Sequence, residues 1–194
     1  MSTQSSPDTK MGRAGDDLTL DIDAETRRRY AEVKAGLPDE MSITLLHVGA
    51  EQTSIAVGNR RDADATLALS IGSKKTAREH FRHVPPTPGE LEDAIATIED
   101  TLAPARAEIP NASALFTTDV AIREIASIAG IAGAPNATLA LAAVEQTFQR
   151  LAAVALGGLA AGRGIPASAE FAETLLILRE FMHHMRFPSI TVMG

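Results

Sequence analysis

Three β-rich runs, at about residues 42–48, 53–59 and 65–72, follow one another with only short connections between them. Parallel neighbours need a crossover of a dozen residues or more, so this spacing predicts an antiparallel meander. The first connection is the tight turn His47-Val48-Gly49-Ala50-Glu51-Gln52-Thr53, and the second is the polar stretch Asn59-Arg60-Arg61-Asp62-Ala63-Asp64.

Helical signals surround it. A helix is predicted over 24–36, with Asp23 as its N-cap and Gly36 and Pro38 as its stop. Lys74–His83 reads as a short helix and Pro85-Pro86-Thr87-Pro88 as a rigid break. Thr87 followed by Glu90 has the capping-box spacing, and Leu91, Ile95, Ile98 and Leu102 form an apolar stripe. A strand is expected at 112–117, a helix from Asp119 to Ala129, and one or two Ala-rich helices over 138–161. Phe171, Leu175, Leu178, Met182 and Met185 mark a last helix, ended by Pro188 and followed by a strand at 189–193. The predicted order is three strands, helices, a strand, helices and a strand. Residues 1–17 read as a disordered tail and 18–194 as one domain.

Composition narrows the function. Hydrophobic residues make up 45% and aromatics 4%, so the core must be aliphatic. Without cysteine there is no disulfide, no thiolate catalysis and no Cys-based metal site. A net charge of −7 argues against generic nucleic-acid binding, which needs a basic face. Residues 1–17 lack the apolar core of a secretory signal, and Leu151–Gly162 is too short to span a bilayer. A cytoplasmic protein with no membrane partner is expected.

Four segments together resemble the second half of the exopolyphosphatase/guanosine pentaphosphate phosphohydrolase (Ppx/GppA) family. They are Glu25-Thr26-Arg27-Arg28-Arg29-Tyr30 with Gly36-Leu37-Pro38; Leu45–Gly58; Leu69-Ser70-Ile71-Gly72 with Phe81 and Pro85–Leu91; and Phe171–Val192. They are similar to the family's E-A-R-x-x-Y…G-L-P run, its D-I-G-G-G-S-T-E-L-x-x-G phosphate loop, its L-x-x-G…F…P-P-T-P-x-E-L run, and its closing helix and strand. The resemblance implies an α/β fold: an RNase H-like (actin-like ATPase) domain with helices on both faces of a mixed sheet. It implies Mg²⁺-dependent hydrolysis of terminal phosphoanhydrides, in polyphosphate or guanosine pentaphosphate, in a cleft between two halves. It makes Glu25 the counterpart of the catalytic glutamate that handles the attacking water.

The departures are equally specific. The aspartate that opens the family's loop is replaced by His47, the three glycines by Gly49, Ala50 and Glu51, and the serine by Gln52. Glycine serves there because backbone N–H groups must approach phosphate unobstructed. The later G-x-G-G-T-A loop corresponds to Leu115-Phe116-Thr117-Thr118-Asp119-Val120, without a glycine, and the family's first loop has no counterpart here.

Each candidate residue therefore has two readings. Glu25 is a general base or a glutamate complementing a helix dipole. His47 is a metal ligand through imidazole or a strand-end hydrogen-bonding group. Gly49, Gln52 and Thr53 form an anion-binding turn or a plain hairpin. Arg27, with Arg28 and Arg29, receives phosphate or makes a solvated helix face, and Glu25 and Glu32 stand at pairing distance from Arg28 and Arg29. Thr117-Thr118-Asp119 is a nucleotide-loop remnant or a helix cap. His183-His184 reads as helix surface, with no zinc spacing.

The expected function is a phosphatase-related half-module, impaired alone, that binds polyphosphate, a guanosine polyphosphate or a partner protein. The alternatives are an enzyme completed by a second subunit or homodimer partner with Mg²⁺, and an actin-like assembly scaffold.

Overall fold

The computed structural model describes residues 13–131, 135–158 and 164–194. Its elements run α1 (Arg13–Ala35), β1 (Ile43–Val48), β2 (Thr53–Gly58), β3 (Ala65–Leu69), α2 (Ser73–His80), α3 (Pro88–Leu102), β4 (Ala114–Thr117), α4 (Val120–Ile128), β5 (Asn136–Ala140), α5 (Leu141–Ala155), α6 (Ala169–His184) and β6 (Ser189–Met193). The strands form one mixed sheet in the order β3-β2-β1-β4-β6-β5. β1, β2 and β3 are the predicted antiparallel meander, β4 and β6 run parallel to β1, and β5 pairs antiparallel with β6 at the edge.

Central β1 is covered on both faces, so Ile43 to Leu46 are all buried, Thr44 included, rather than alternating. Leu46 and Val48 join a large core with β2, Leu115 and helices α2 to α6. Ile43 and Leu45 point the other way, into a smaller core with Ala56, Phe116, and Tyr30 and Val33 of α1. Side chains alternate along a strand, so His47 lies on the α1 side of the sheet. Buried Lys34 ties α1 to the linker before β1, its Nζ donating to the carbonyls of Pro38 and Met41 at 2.7 Å each.

The predicted capping box is present: Thr87 Oγ1 accepts from the Glu90 N–H at 3.3 Å, and Glu90 accepts from the Thr87 N–H at 2.8 Å. Helix α6 is the hub of the larger core, buried along nearly its whole length beneath α2, α3 and α5.

Three expectations need correction. Helix α1 starts at Arg13, so residues 13–17 are helical rather than tail, while 1–12 lie outside the described residues. Asp23 is therefore helix interior, not an N-cap: its carboxylate accepts from the Arg27 Nε at 2.9 Å and from the Thr66 hydroxyl. Residues 138–140 belong to β5, not to an Ala-rich helix. Only Ala137 and Leu139 of that strand are buried, and an edge strand with two small inward contacts leaves little apolar alternation in sequence. The part of that helix prediction at 159–161 lies outside the described residues. Finally, α6 stops at His184, with Arg186 in the left-handed region (φ 61°), before Pro188 is reached.

Candidate functional site

The parallel strands β1 and β4 end side by side, and α1 lies over the sheet on that side. Their ends bring four side chains together: Glu25 and Arg29 from α1, His47 from β1, and Asp119 from the segment after β4. His47 Nδ1 is 2.5 Å from Asp119 Oδ1, and Asp119 Oδ2 accepts the Val48 N–H at 2.7 Å. The Asp119 side chain is 5% exposed, so its charge is held by these donors rather than by water.

Arg29 Nη1 also stands 3.1 Å from His47 Nδ1 and 3.9 Å from Asp119 Oδ1. A guanidinium only donates, and Nδ1 cannot accept from it while donating to the carboxylate. The shorter contact, to a buried anion, decides: Nδ1 carries the proton and gives it to Asp119. Nε2 is then the nitrogen with a free lone pair, and it takes no hydrogen bond among the described residues.

Glu25 is fully engaged. Arg28 grips it bidentately, Nε to Oε2 and Nη2 to Oε1 at 2.8 Å each, and Arg29 Nε donates to Oε1 at 2.7 Å. Arg28 also bonds Glu32. The hydrogen bonds from Arg28 and then Arg29 hold the Glu25 carboxyl down at about 2. A carboxylate that acidic is a poor proton acceptor near neutral pH. The helix-face pairing expected from the spacing of Glu25, Glu32, Arg28 and Arg29 is thus what forms.

The β1–β2 turn is closed on itself and on α2. The Gly49 N–H donates to the Gln52 carbonyl at 3.0 Å, and so faces no ligand. The Gly49 carbonyl accepts from the Ser73 N–H at 2.9 Å, and the Ala50 carbonyl from Lys74 and Lys75 at 2.9 and 3.0 Å. Gly72 permits this seam: a Cβ there would lie 2.5 Å from the Gln52 nitrogen and the Glu51 carbonyl carbon. The N–H groups of Ala50, Glu51 and Gln52 have no hydrogen-bond acceptor among the described residues. Glu51 pairs with Arg78 at 3.3 Å on the surface. Thr53 is fully buried and its hydroxyl lacks a partner.

Of the residues singled out in sequence, then, Glu25 and His47 are joined through Arg29, and Gly49 and Gln52 lie in the turn that follows β1. Thr53 opens β2 and is buried. Arg27 is turned to the other side of α1, bonded to Asp23, the Ala63 carbonyl and Thr66. Asp119 was read as a nucleotide-loop remnant or a cap; it makes no side-chain cap and instead orients His47. Arg29, which links Glu25 to His47, was seen only as part of a charge run. The available signal was positional: a carboxylate directly after a strand that is parallel to β1 must emerge beside the end of β1. His47 is a possible metal ligand through Nε2 alone, since Nδ1 is taken by Asp119.

The architecture, a β-meander continued by parallel strands with helices on both faces, defines an actin-like, RNase H-like domain. Solved structures share this fold. The Ppx/GppA enzyme of Aquifex aeolicus matches 89% of this chain with a TM-score of 0.76 at 15% identity, over 60% of its own length. An exopolyphosphatase from Cytophaga hutchinsonii matches 94% with a TM-score of 0.66 at 15% identity, over 67% of its length. An exopolyphosphatase-like protein matches 80% with a TM-score of 0.61 at 10% identity. The chain thus spans about 60% of the length of the Aquifex structure and shares the fold of that part. No protein-family model and no curated protein sequence matches it. No described helix is long and apolar enough to cross a membrane.

Proposed function

We propose that this domain is a Ppx/GppA-related half-module that binds a phosphate-rich anion, polyphosphate or a guanosine polyphosphate, without hydrolysing it through Glu25. The observation that carries this reading is the clamp on Glu25. Both its oxygens are filled by Arg28 and Arg29, and its carboxyl is held at about 2. What remains at the end of β1 is suited to holding an anion. Arg29 presents a guanidinium there, and three backbone N–H groups of the turn have no acceptor among the described residues. The fold neighbours include an exopolyphosphatase, which supports the ligand class by analogy.

Calorimetric titration with a short polyphosphate and with guanosine tetraphosphate tests the reading. Binding should weaken in Arg29→Ala and fall with salt. No heat from either anion at low ionic strength would overturn it.

A second reading rests on one further observation. The carboxylates of Glu25 and Asp119 both face Arg29, at 2.7 and 3.9 Å. Carboxylate oxygens suit Mg²⁺. In this reading the site is completed by a second subunit or a second copy, and phosphoanhydride hydrolysis requires Mg²⁺ and Glu25. Phosphate release from polyphosphate that is abolished by Glu25→Gln would favour it over the first.

A further inference from the structure

A second group of side chains lies toward the opposite end of the parallel strands. The β1–β2 turn follows the end of β1; the C-terminal end of α6 leads into the start of β6, which runs in the direction of β1. There Glu180 and His184 stand one helical turn apart on α6, and Glu99 reaches them from α3. We propose that Glu99, Glu180 and His184 form a binding site for a divalent transition-metal ion of the Zn²⁺ class.

The spacing fits such an ion. His184 Nε2 lies 3.2 Å from Glu99 Oε1 and 3.6 Å from Glu180 Oε2, and the three ligand atoms fall within 4.8 Å of one another. A tetrahedral ion with bonds of about 2.0–2.1 Å separates its ligand atoms by about 3.3 Å. Three protein ligands would leave a fourth position for water.

Glu180 supplies an independent reason. Its side chain is 3% exposed, a depth at which a carboxylate needs a compensating charge. Arg179 satisfies Oε1, but that guanidinium is shared with Glu145, 2.9 Å away, and lies over the Phe148 ring. Arg106 is committed to the His184 carbonyl. Oε2 faces the imidazole at 3.6 Å, beyond hydrogen-bonding distance, and accepts no hydrogen bond among the described residues. A divalent cation at this point would neutralise both carboxylates together.

The donor set also selects the metal. An imidazole nitrogen with two carboxylates, without thiolate, suits Zn²⁺ or Co²⁺ better than Mg²⁺, which prefers oxygen ligands and its own water. The site is separate from the proposed anion site at the end of β1, so its test does not depend on that reading.

The tag-free chain, stripped with chelator, is titrated with Zn²⁺ by calorimetry and with Co²⁺ by visible absorption. One equivalent should bind, and Co²⁺ should develop ligand-field bands. His184→Asn and Glu99→Gln should each lower affinity by about tenfold to hundredfold or more, at least the loss seen when supporting groups are removed. His183→Asn, altering the exposed neighbour, should bind as the wild type does. Zn²⁺ should raise the melting temperature of the wild type and of His183→Asn only. Circular dichroism checks that the variants fold, and Glu99, at 46% exposure, is the substitution best tolerated. No saturable Zn²⁺ binding by the wild type, or undiminished binding by both ligand variants, would overturn the proposal. Either result would leave these residues as an imidazole–carboxylate ion pair only.

Discussion

His47 Nδ1 and Asp119 Oδ1 are 2.5 Å apart, though the two residues are separated by the whole of β2, β3, α2, α3 and β4. The contact joins the ends of two adjacent parallel strands and fixes which imidazole nitrogen faces outward. Asp119 also receives the Val48 N–H, so it holds the last residue of β1 in place. Replacing Asp119 by Ala removes a buried acceptor from two donors and should cost about 2–3 kcal/mol. Asp119→Asn, which retains one acceptor oxygen, should cost less. Urea unfolding measures both, and equal losses would show that the carboxylate acts only as filler.

Glu25 competes with any anion for Arg28 and Arg29. Glu25→Gln should therefore tighten polyphosphate binding several-fold, about 1 kcal/mol for an exposed pair. Calorimetry at fixed ionic strength reads this directly. Weaker binding in the variant would mean that Glu25 aligns the guanidiniums for the ligand.

Glu173 is fully buried in α6, and neither carboxylate oxygen has a hydrogen-bond partner. Burial, with the Glu79 charge adding to it, raises its carboxyl from 4.5 to about 8. The folded state then holds a proton that the unfolded chain releases near 4.5. Its contribution to stability is complete below that value and is lost as pH rises through about 8. Glu173→Met should stabilise the protein by about 1–3 kcal/mol, and by more at pH 9 than at pH 6. Thermal melts at the two pH values would expose a pH-independent effect, which would contradict the burial argument.

The α3 capping box should be separable into its two halves. Thr87→Ala should cost about 1 kcal/mol at neutral pH. The Glu90 carboxyl is held at about 2, first by the Thr87 backbone N–H, so its half is complete above the usual 4.5 and disappears as pH falls through about 2. Denaturant midpoints between pH 5 and pH 2 should show the wild type losing stability across that window.

Gly72→Ala should cost about 1–3 kcal/mol by overpacking, because the new methyl would meet turn backbone at 2.5 Å. Backbone cannot swing aside as a side-chain tip can. Gly89→Ala, where nothing lies within 4 Å, is the matched control and should be close to neutral in a chemical melt.

Much of the fold was legible because its signals are local. The β-meander is written in three close apolar runs, α3 in Thr87, Pro88 and Glu90, and α6 in its apolar stripe. The misread segments depend on distant partners. The first turns of α1 are polar in sequence, and Asp23 looked like a cap although it pairs with Arg27 one turn on and, across the interface with β3, with Thr66. β5 is a strand only because β6 lies beside it. In the site, the pairing of Glu25 with Arg28 and Arg29 followed from helical spacing. The bond from His47 to Asp119 did not, because it needs the parallel alignment of β1 with β4. His184 looked like plain helix surface for the same reason: Glu99, on another helix, is invisible to spacing within α6.

The seam between the β1–β2 turn and α2 decides which backbone donors the start of that helix can offer. The carbonyls of Gly49 and Ala50 already sit on the first N–H groups of α2, as a bound anion's oxygens would. The helix is, in effect, inhibited by its own neighbouring loop. Reintroducing glycines at Ala50, Glu51 and Gln52 would not free those donors, because the obstruction is carbonyl oxygen and not side chain. Loop glycines alone therefore do not decide whether the first N–H groups of α2 are free; the closure of the loop over the helix does.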